Sequence, residues 1–277
     1  DNSPDKTIVA FKLFLNKNKN NDFLLNLFGD EKKINQKLDH HKISSNQIKI
    51  THTDSVVSDD ETPLTAIKSS KNTSMWNCIK SQLDGSSDIS LSAGNTGVLL
   101  VVSRMILKMM DKVSKPALAG FWPKEKGLNV VLDLGANIEC DDKNLVEFAE
   151  LGAALYKSLF PNEISKVSLL NIGSEEIKGT ETLKNAYKKL KFLSKESNFI
   201  FKGYSEGNTI MNGESNVIVT DGFTGNIALK TAEGTAKFII DNLKKTLTQN
   251  ILSKISLIFS YFSLKKFKNK LDPRKYN

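Results

Sequence analysis

Four short apolar runs along this chain each end in a polar turn that contains glycine. They cover residues 89–97 (ISLSAGNTG), 130–137 (VVLDLGAN), 168–179 (SLLNIGSEEIKG) and 217–226 (VIVTDGFTGN). A helical pattern of apolar residues follows each run, so the chain alternates strand, turn and helix. Strands in such a chain are parallel, and the turns at their carboxyl ends gather along one edge of the sheet, where open α/β folds bind ligands. We therefore expect the function to reside in these turns.

The polar segments are named turn 1 (residues 92–97), turn 2 (132–137), turn 3 (171–179) and turn 4 (220–226). Elsewhere, Ile8, Phe11 and Leu15 share one face of an opening helix, and residues 23–28 and 48–51 are predicted strands. Residues 56–71 are polar at first and are predicted as a loop. Further helices are predicted over residues 75–83, from Asn95 or Thr96 through Met110, and over 145–160, 180–193 and 223–247. The predicted fold is α/β, as one large domain or as two closely joined lobes.

The composition is that of an ordinary soluble protein, with 39% hydrophobic and 25% charged residues. The two cysteines, Cys78 and Cys140, form no CxxC pair and no cluster with histidine, so neither a disulfide framework nor a zinc site is predicted. No signal peptide is visible, and the apolar stretches are shorter than the roughly 20 residues of a membrane-spanning helix. These features predict a protein of the reducing cytoplasm.

The net charge of +8 is concentrated at one end of the chain. Residues 251–277 contain seven lysines and arginines against one acid, Asp272. Because the basic character is local, the sequence predicts no nucleic-acid groove running over the whole protein.

Turns 1 and 4 place polar groups where helices begin. In turn 1 the segment GNTG (residues 94–97) brings backbone N–H groups and a hydroxyl to a helix N-terminus, which is suited to phosphate or another anion. Gly225 and Asn226 repeat this arrangement in turn 4. Each turn alone also has an ordinary structural interpretation, because a glycine after a strand is most often only a tight turn.

Among the four turns, turn 3 is the one that contains a lysine. Lys178 lies between Gly173 and Gly179, where a cation can bind phosphate or polarise a carbonyl. The alternative is a solvated surface charge. Asp133 and Asp221 likewise either belong to a site or only cap helices and brace loops.

Histidine and cysteine chemistry is not favoured. His40, His41 and His52 lie outside the four turns, which argues against a histidine-based triad or metal centre. Cys140 follows turn 2 with no histidine near it in the sequence, which favours a structural role for its thiol.

The four turns closely resemble the motifs of the PlsX family. They read SAGNTG from Ser92, LDLGAN from Leu132, NIGSEEIKG from Asn171 and TDGFTGN from Thr220, in family order, within a resemblance that spans the whole chain. The family is the bacterial phosphate acyltransferase of phospholipid synthesis, which converts acyl-(acyl carrier protein) and inorganic phosphate to acyl phosphate and free carrier. The resemblance implies this activity. It also implies a Rossmann-like αβα sandwich with a mainly parallel sheet, related to phosphotransacetylase and isopropylmalate dehydrogenase-like folds.

The resemblance also implies roles for individual residues. Lys178 is expected to be the electrostatic partner of phosphate or of the oxyanion, and Asn226 a hydrogen-bond donor to the same centre. Phosphate is already an anionic nucleophile near neutral pH, so no histidine base, metal or organic cofactor is implied. The implied substrate-binding residues are Ser92, Gly94, Asn95, Thr96 and Gly97, which cradle phosphate, and Asp133, Asn137, Glu175, Asp221 and Gly225, which shape the pocket around Lys178.

Family members begin with a strand that leads into a Met-Gly-Gly-Asp turn, and residues 1–4 resemble the tail of that turn. Beyond Asn277 the family continues with a further strand and helix. The expected organisation is therefore a catalytic α/β domain over residues 1–250, without its first strand, and an amphipathic basic segment over 251–277 that is truncated at its C-terminus.

The C-terminal segment has the pattern of an amphipathic helix. One stripe of this helix is apolar and consists of Leu243, Leu247, Ile251, Ile255, Phe259 and Phe262. A separate stripe is small and polar and consists of Ser253, Ser256, Ser260 and Ser263. A basic tail follows Leu264. Such a helix either lies in a membrane interface or packs in a homodimer interface. Members of the resembling family are dimeric and associate peripherally with the membrane, so a homodimer at the inner face of the cell membrane is expected.

Two other functions stay open. A phosphotransacetylase-like enzyme that uses acyl-CoA would share the sheet and the anion-binding turns, and a preference for acyl carrier protein over CoA discriminates against it. The chain is alternatively a non-catalytic module that binds a membrane or a carrier protein.

Overall fold

A computed structural model of the chain describes residues 4–18, 23–44, 46–58, 60–124, 127–250 and 259–267. The chain divides into two compact units, Asp1–Met110 and Asp111–Asn277. The boundary falls inside the segment 1–250 that the sequence predicts as one catalytic domain, and two lobes are the other organisation that the sequence leaves open. Within the predicted C-terminal segment, residues 259–267 are helical, and 251–258 and 268–277 lie outside the described residues.

The first unit contains a two-stranded parallel sheet and five described helices. The strands are β1 (Leu25–Gly29) and β2 (Ile48–His52), with Leu27 opposite Ile50. The helices are α1 (Asp5–Lys17), α2 (Glu31–His40), α3 (Pro63–Ser69), α4 (Ser74–Leu83) and α5 (Thr96–Leu107). Leu27 packs with residues of α1 and α2, and Met75 of α4 packs with Val98 and Val102 of α5.

The second unit is a five-stranded sheet flanked by helices. Along the chain it contains β3 (Gly120–Pro123), β4 (Leu128–Leu132), α6 (Asp142–Leu159), β5 (Ser165–Leu170), α7 (Glu181–Leu193), β6 (Phe199–Ser205), a 3₁₀ turn (Gly207–Thr209), β7 (Val217–Val219) and α8 (Gly222–Leu247). The strand order is β3-β4-β7-β5-β6. Only the edge strand β3 runs antiparallel to its neighbour; the other described pairings are parallel. The predicted mainly parallel α/β fold is confirmed.

Alternation along the strands explains the three layers of this unit, because successive side chains point to opposite faces of a sheet. On one face, Val130 and Leu132 pack with Phe148 of α6 and Leu190 of α7. On the other face, Val131 belongs to a second cluster, against which Ala228, Leu229 and Ala232 of α8 pack. Helices therefore cover both faces, and this arrangement leaves the carboxyl ends of β4, β7 and β5 side by side.

Several local predictions are wrong. Residues 89–91 form no strand among the described residues; Ile89 and Leu91 are each 74% exposed. A three-residue apolar run has no sheet stability without a partner strand to bond its backbone. The predicted loop 56–71 contains helix α3, and the helix expected to reach Met110 ends at Leu107. Strands β3 and β6 are not foreseen from the pattern.

Candidate functional site

Turn 2 is held in shape by the carboxylate of Asp133, which is fully buried. Its Oδ1 accepts hydrogen bonds from the backbone N–H groups of Leu118, Gly135 and Ala136 at 2.9–3.1 Å. Its Oδ2 accepts from the backbone N–H and the side-chain amide of Asn137, both at 2.8 Å. Five donors thus converge on one carboxylate, which organises the loop that follows β4. The loop-bracing interpretation of Asp133 accounts for all of these contacts.

Turns 2 and 4 are packed against each other because they follow the neighbouring strands β4 and β7. The Gly222 N–H donates to the carbonyl of Asn137 at 2.8 Å. A β-carbon placed on Gly135 would lie 3.5 Å from Cβ of Asn226. The structure therefore brings Asn137, Gly222 and Asn226 into one cluster at the carboxyl edge of the sheet. Asn226 is exposed, and its side chain makes no hydrogen bond within the described part of the chain.

Turn 4 begins helix α8 with a side-chain cap. The Asp221 carboxylate accepts from the N–H and the hydroxyl of Thr224, both at 2.8 Å, which is the geometry of an N-cap aspartate. The Gly225 N–H donates to the Asp221 carbonyl at 2.9 Å. The backbone N–H groups of Gly222, Thr224 and Gly225 thus all donate hydrogen bonds. Among the described residues 222–225, this leaves only the N–H of Phe223 without an acceptor. The backbone at the start of α8 is therefore a poor anion site, and a ligand there would have to be bound by side chains such as Asn226.

Turn 3 follows β5, which neighbours β7 in the sheet, so it lies at the same edge as turns 2 and 4. Asn171 is nearly buried and anchors the loop: its amide donates to the Lys178 carbonyl at 3.1 Å, and its Oδ1 accepts from the Ile172 N–H at 2.9 Å. The Lys178 N–H donates to the Glu175 carbonyl at 3.0 Å. These bonds fix the backbone on which Lys178 is carried.

The side chain of Lys178 forms an ion pair with Glu175, with Nζ and Oε1 2.9 Å apart. The pair lies over Gly173, where an added β-carbon would be 2.4 Å from Cδ of Lys178. Both side chains are about half exposed, at 45% and 55%. Among the predicted pocket residues, Glu175 is thus the one that orients Lys178. The carboxylate of Asp133 instead bonds within turn 2 and to Leu118, and that of Asp221 bonds within turn 4.

The ion pair reinforces the charged state of both groups. The hydrogen bond and the charge of Glu175 raise the pKa of Lys178, to which the charge of Glu206 adds. The same hydrogen bond from Lys178 lowers the pKa of Glu175. Lys178 is therefore a full cation at neutral pH, available to an anion that displaces or joins the carboxylate of Glu175.

Turn 1 lies in the first unit and starts helix α5. The Asn95 side chain accepts from the Val98 N–H at 3.2 Å, which makes it the helix cap that the sequence predicts. Its amide group donates to the Glu61 carbonyl at 3.0 Å. Asn95 is thus engaged on both sides, and it ties the helix start to the segment before α3.

The remaining polar groups of turn 1 are more open. The Ser92 hydroxyl accepts from the Gly94 N–H at 3.2 Å. The N–H groups of Thr96 and Gly97 donate no hydrogen bond among the described residues, which leaves two donors at a helix N-terminus. Turn 1 therefore has the donors expected of an anion-binding turn, in contrast to turn 4.

Turn 1 also borders a cavity of about 540 Å³ within the first unit. Residues 90–94 form one wall, and the side chains lining it include Ile8, Phe11, Leu27, Ile34, Met75 and Ile79. The cavity is therefore mainly apolar.

The other candidate chemistry lies outside these turns. Burial raises the pKa of the Cys140 thiol to about 11, so the thiol is protonated at neutral pH and a poor nucleophile. No group of three His, Cys, Asp or Glu side chains that suits a metal ion is found among the described residues. Within that same part of the chain, no helix has the length and apolar character needed to cross a membrane.

Two site residues were missed by sequence reasoning. Asn171 is the internal anchor of turn 3, and its place directly after an apolar strand and before glycine is the available signal. Glu206 acts on Lys178 through its charge, but it follows β6, which was not predicted.

Comparison with known proteins identifies the family to which the chain belongs. The chain matches the family model described as fatty acid synthesis protein over residues 1–277. A phosphate acyltransferase of Pelagibacter ubique is 52% identical over 277 residues, which are 100% of this chain and 82% of that protein. A phosphate acyltransferase of Caulobacter vibrioides is 39% identical over 251 residues, which are 91% of this chain and 69% of that protein.

Among solved structures, EutD phosphotransacetylase from Staphylococcus aureus has a similar fold, with a TM-score of 0.61 at 17% identity over 85% of this chain and 81% of that chain. The predicted relation to phosphotransacetylase folds is confirmed. By the family match over its whole length and by its identity to these relatives, the chain belongs to the fatty acid synthesis protein family, as the resemblance of its turns to the PlsX motifs predicts.

Proposed function

We propose that this chain transfers an acyl group from acyl carrier protein to inorganic phosphate, which yields acyl phosphate and free carrier. Membership of a family whose relatives are named phosphate acyltransferases supports the reaction. The structural observation that carries the proposal is the position of Lys178. It is a half-exposed cation on a braced loop, at the sheet edge where turns 2 and 4 also converge.

The chemistry needs little beyond positioning and charge. An oxygen of phosphate attacks the carbonyl carbon of the thioester, an oxyanion forms, and the C–S bond then breaks to release the carrier thiolate, which takes up a proton. Phosphate needs no base to become a nucleophile, so the protein has to hold the two reactants together and stabilise the oxyanion.

Lys178 and Asn226 are the residues we assign to that task. The Lys178 ammonium is charged across the neutral range, and Glu175 keeps it fixed until an anion arrives. Asn226 offers an exposed amide beside turn 2 that can donate a hydrogen bond to phosphate or to the oxyanion. Glu175 is in this scheme a positioning residue rather than a substrate contact.

Turn 1 is proposed as a phosphate cradle on the first unit. The two unbonded N–H groups of Thr96 and Gly97 support this assignment, as does the hydroxyl of Ser92 nearby in the chain. Asn95 contributes by capping the helix that orients these donors.

Three further properties are proposed with this function. The protein forms a homodimer, it works in the cytoplasm, and it associates peripherally with the inner face of the cell membrane. The helical segment 259–267 supports the last of these, because Phe259 and Phe262 are 85% and 82% exposed and the same helix carries Lys265 and Lys266.

The test is acyl-phosphate formation from inorganic phosphate and either acyl-(acyl carrier protein) or acyl-CoA, monitored by incorporation of radiolabelled phosphate into the product. We expect formation of acyl phosphate with a clear preference for the carrier-bound acyl group. Preference for acyl-CoA would favour the phosphotransacetylase-like alternative. Absence of product with both donors, in a folded protein, would favour a non-catalytic binding module.

A further inference from the structure

Helix α7 carries lysines along one exposed face, which we call the α7 basic face. Lys184, Lys188 and Lys191 recur at helical spacing and so lie on one side, while Ala186 and Leu190 are fully buried in the core on the other side. The helix contains four lysines and one glutamate. The basic face is therefore directed away from the sheet.

A groove of about 320 Å³ separates this face from turn 3. Its walls are Lys184, Tyr187, Lys188 and Lys191 on the helix and Glu176 and Ile177 on the loop. Ile177 is 82% exposed and directly precedes Lys178. The groove thus combines cations with an exposed aliphatic side chain, one residue from the proposed catalytic lysine.

Some charges on this surface are already compensated. Lys191 pairs with Glu176 at 3.0 Å, and Lys184 pairs with Glu181 at 3.0 Å. Glu176 also accepts a hydrogen bond from the Tyr187 hydroxyl at 2.6 Å.

Two cations are not compensated in this way. Lys188 and Lys195, the latter just beyond the helix, are exposed and form no salt bridge among the described residues. The charge of Lys188 makes only a minor contribution to lowering the pKa of Glu181, whose salt-bridge partner is Lys184. Phe192, between them in sequence, is 68% exposed. The surface therefore offers unpaired positive charge next to apolar area, a combination suited to the acidic surface of a protein partner.

We propose that the α7 basic face docks an acidic protein, and that in the reaction proposed above this protein is the acyl carrier protein. The inference rests on that proposed function for the identity of the partner. A carrier held in the groove contacts Glu176 and Ile177 of turn 3, the loop that also carries Lys178. Docking and chemistry would then share one loop.

The test reverses the two unpaired charges. Lys188→Glu with Lys195→Glu removes no intramolecular ion pair, and its matched control is Lys32→Glu with Lys80→Glu, two exposed helical lysines of the first unit that also lack a salt bridge in the described chain. Turnover is measured with acyl-(acyl carrier protein) and with acyl-pantetheine, a small uncharged donor carrying the same thioester.

For the docking variant we expect kcat/KM with acyl-(acyl carrier protein) to fall by about tenfold or more at low salt, mostly through KM. The difference from the unmodified chain should shrink as salt rises, because exposed charges are screened. Turnover with acyl-pantetheine, and both activities of the control variant, should change less than about twofold. Equal losses with both donors, or the same loss in the control, would overturn the docking proposal.

Binding of fluorescently labelled acyl carrier protein, read by anisotropy, separates this proposal from the proposed function. Weaker binding to the docking variant than to the unmodified chain supports docking on the α7 basic face even if no turnover is found. Undiminished binding to the docking variant rejects docking on the α7 basic face even if the enzyme is active.

Discussion

Gly225 lies so close to the backbone of Asp133 that a β-carbon at position 225 would sit 1.9 Å from the Asp133 carbonyl oxygen. This contact joins the first turn of α8 to the loop after β4. Backbone cannot move aside as the end of a flexible side chain can, so the approach of turns 2 and 4 depends on glycine at this position.

We expect Gly225→Ala to destabilise the protein by about 3 kcal/mol or more, because a methyl group there forces α8 away from turn 2. The measurement is the free energy of unfolding in urea. Gly234→Ala is the matched control on the same helix, since nothing lies within 4 Å of a β-carbon at that position. Alanine there should stabilise the protein by about 0.5–1 kcal/mol. Similar effects of the two substitutions would contradict the close contact.

The second prediction separates bracing from substrate binding at Asp133. Asp133→Asn replaces one acceptor oxygen with a donor among five converging donors, so we expect a loss of about 3 kcal/mol in the free energy of unfolding. Asp221→Asn is the control, because asparagine is an equally good N-cap, and its cost should stay below about 1 kcal/mol. A raised KM for phosphate with unchanged stability in Asp133→Asn would instead indicate a substrate contact.

Much of the architecture was accessible from the sequence because each long apolar run and its glycine turn determine a local element. Turns 2, 3 and 4 follow β4, β5 and β7 as predicted, and Asn95 caps α5. The strand prediction for residues 89–91 is wrong because an apolar pattern indicates which side chains share a face but does not supply a partner strand. No described strand bonds to these residues. Edge strand β3 has only four residues and ends in proline, so its pattern is weak. Strand β6 begins with the aromatic and β-branched run 199–201, which is a strand signal that the prediction did not use.

The sequence identifies the turns that form the candidate site, but it does not show which of their side chains face a ligand and which hold the turns in shape. Sequence alone could not distinguish a carboxylate that faces a ligand from one that is saturated by its own loop. In the structure Asp133 and Asp221 are engaged in bracing and capping, whereas Glu175 pairs with Lys178. That difference depends on the fold, which brings the N–H of Leu118 to the Asp133 carboxylate and shapes turn 2 so that Asn137 donates to the same group.

A third prediction concerns residues 259–267. If Phe259 and Phe262 enter a lipid interface, changing both to Ser should lower binding to vesicles of phosphatidylglycerol and phosphatidylethanolamine by about tenfold or more, because each large apolar side chain removed forfeits its transfer free energy. Turnover with soluble substrate should be largely unchanged. Phe192→Ser, at a phenylalanine that is 68% exposed on α7, is the control and should leave vesicle binding intact. Dissociation of a dimer in sedimentation, with vesicle binding unaffected, would show that the segment packs against a second subunit.

The fourth prediction concerns pH. The ordinary pKa of a lysine already lies above the range of about pH 6 to 9, and Glu175 raises the pKa of Lys178 further. Deprotonation of the ammonium should therefore contribute no falling limb to kcat/KM in that range. Glu175→Gln removes the group that raises this pKa, so the alkaline limit of activity should move toward lower pH while remaining above the neutral range. The pH profiles of the two proteins test this directly, and an unchanged alkaline limit would mean that Lys178 does not act as a charged group in the rate-determining step.

The last prediction is the direct test of Lys178. Lys178→Ala should lower turnover by roughly 10²–10³-fold, the loss typical of removing one donor to a developing oxyanion. Lys178→Arg should restore little, because a planar guanidinium does not occupy the position of a compact ammonium between Gly173 and Glu175. Both variants should keep the melting temperature within a few degrees, since a half-exposed lysine contributes little to the core. Lys184→Ala is a suitable control, because it also removes a lysine from an i,i+3 ion pair with glutamate, and its turnover with acyl-pantetheine should be nearly normal. Near-normal turnover in Lys178→Ala would reject the assigned role and leave Asn226 as the remaining side-chain donor that we assign to the oxyanion.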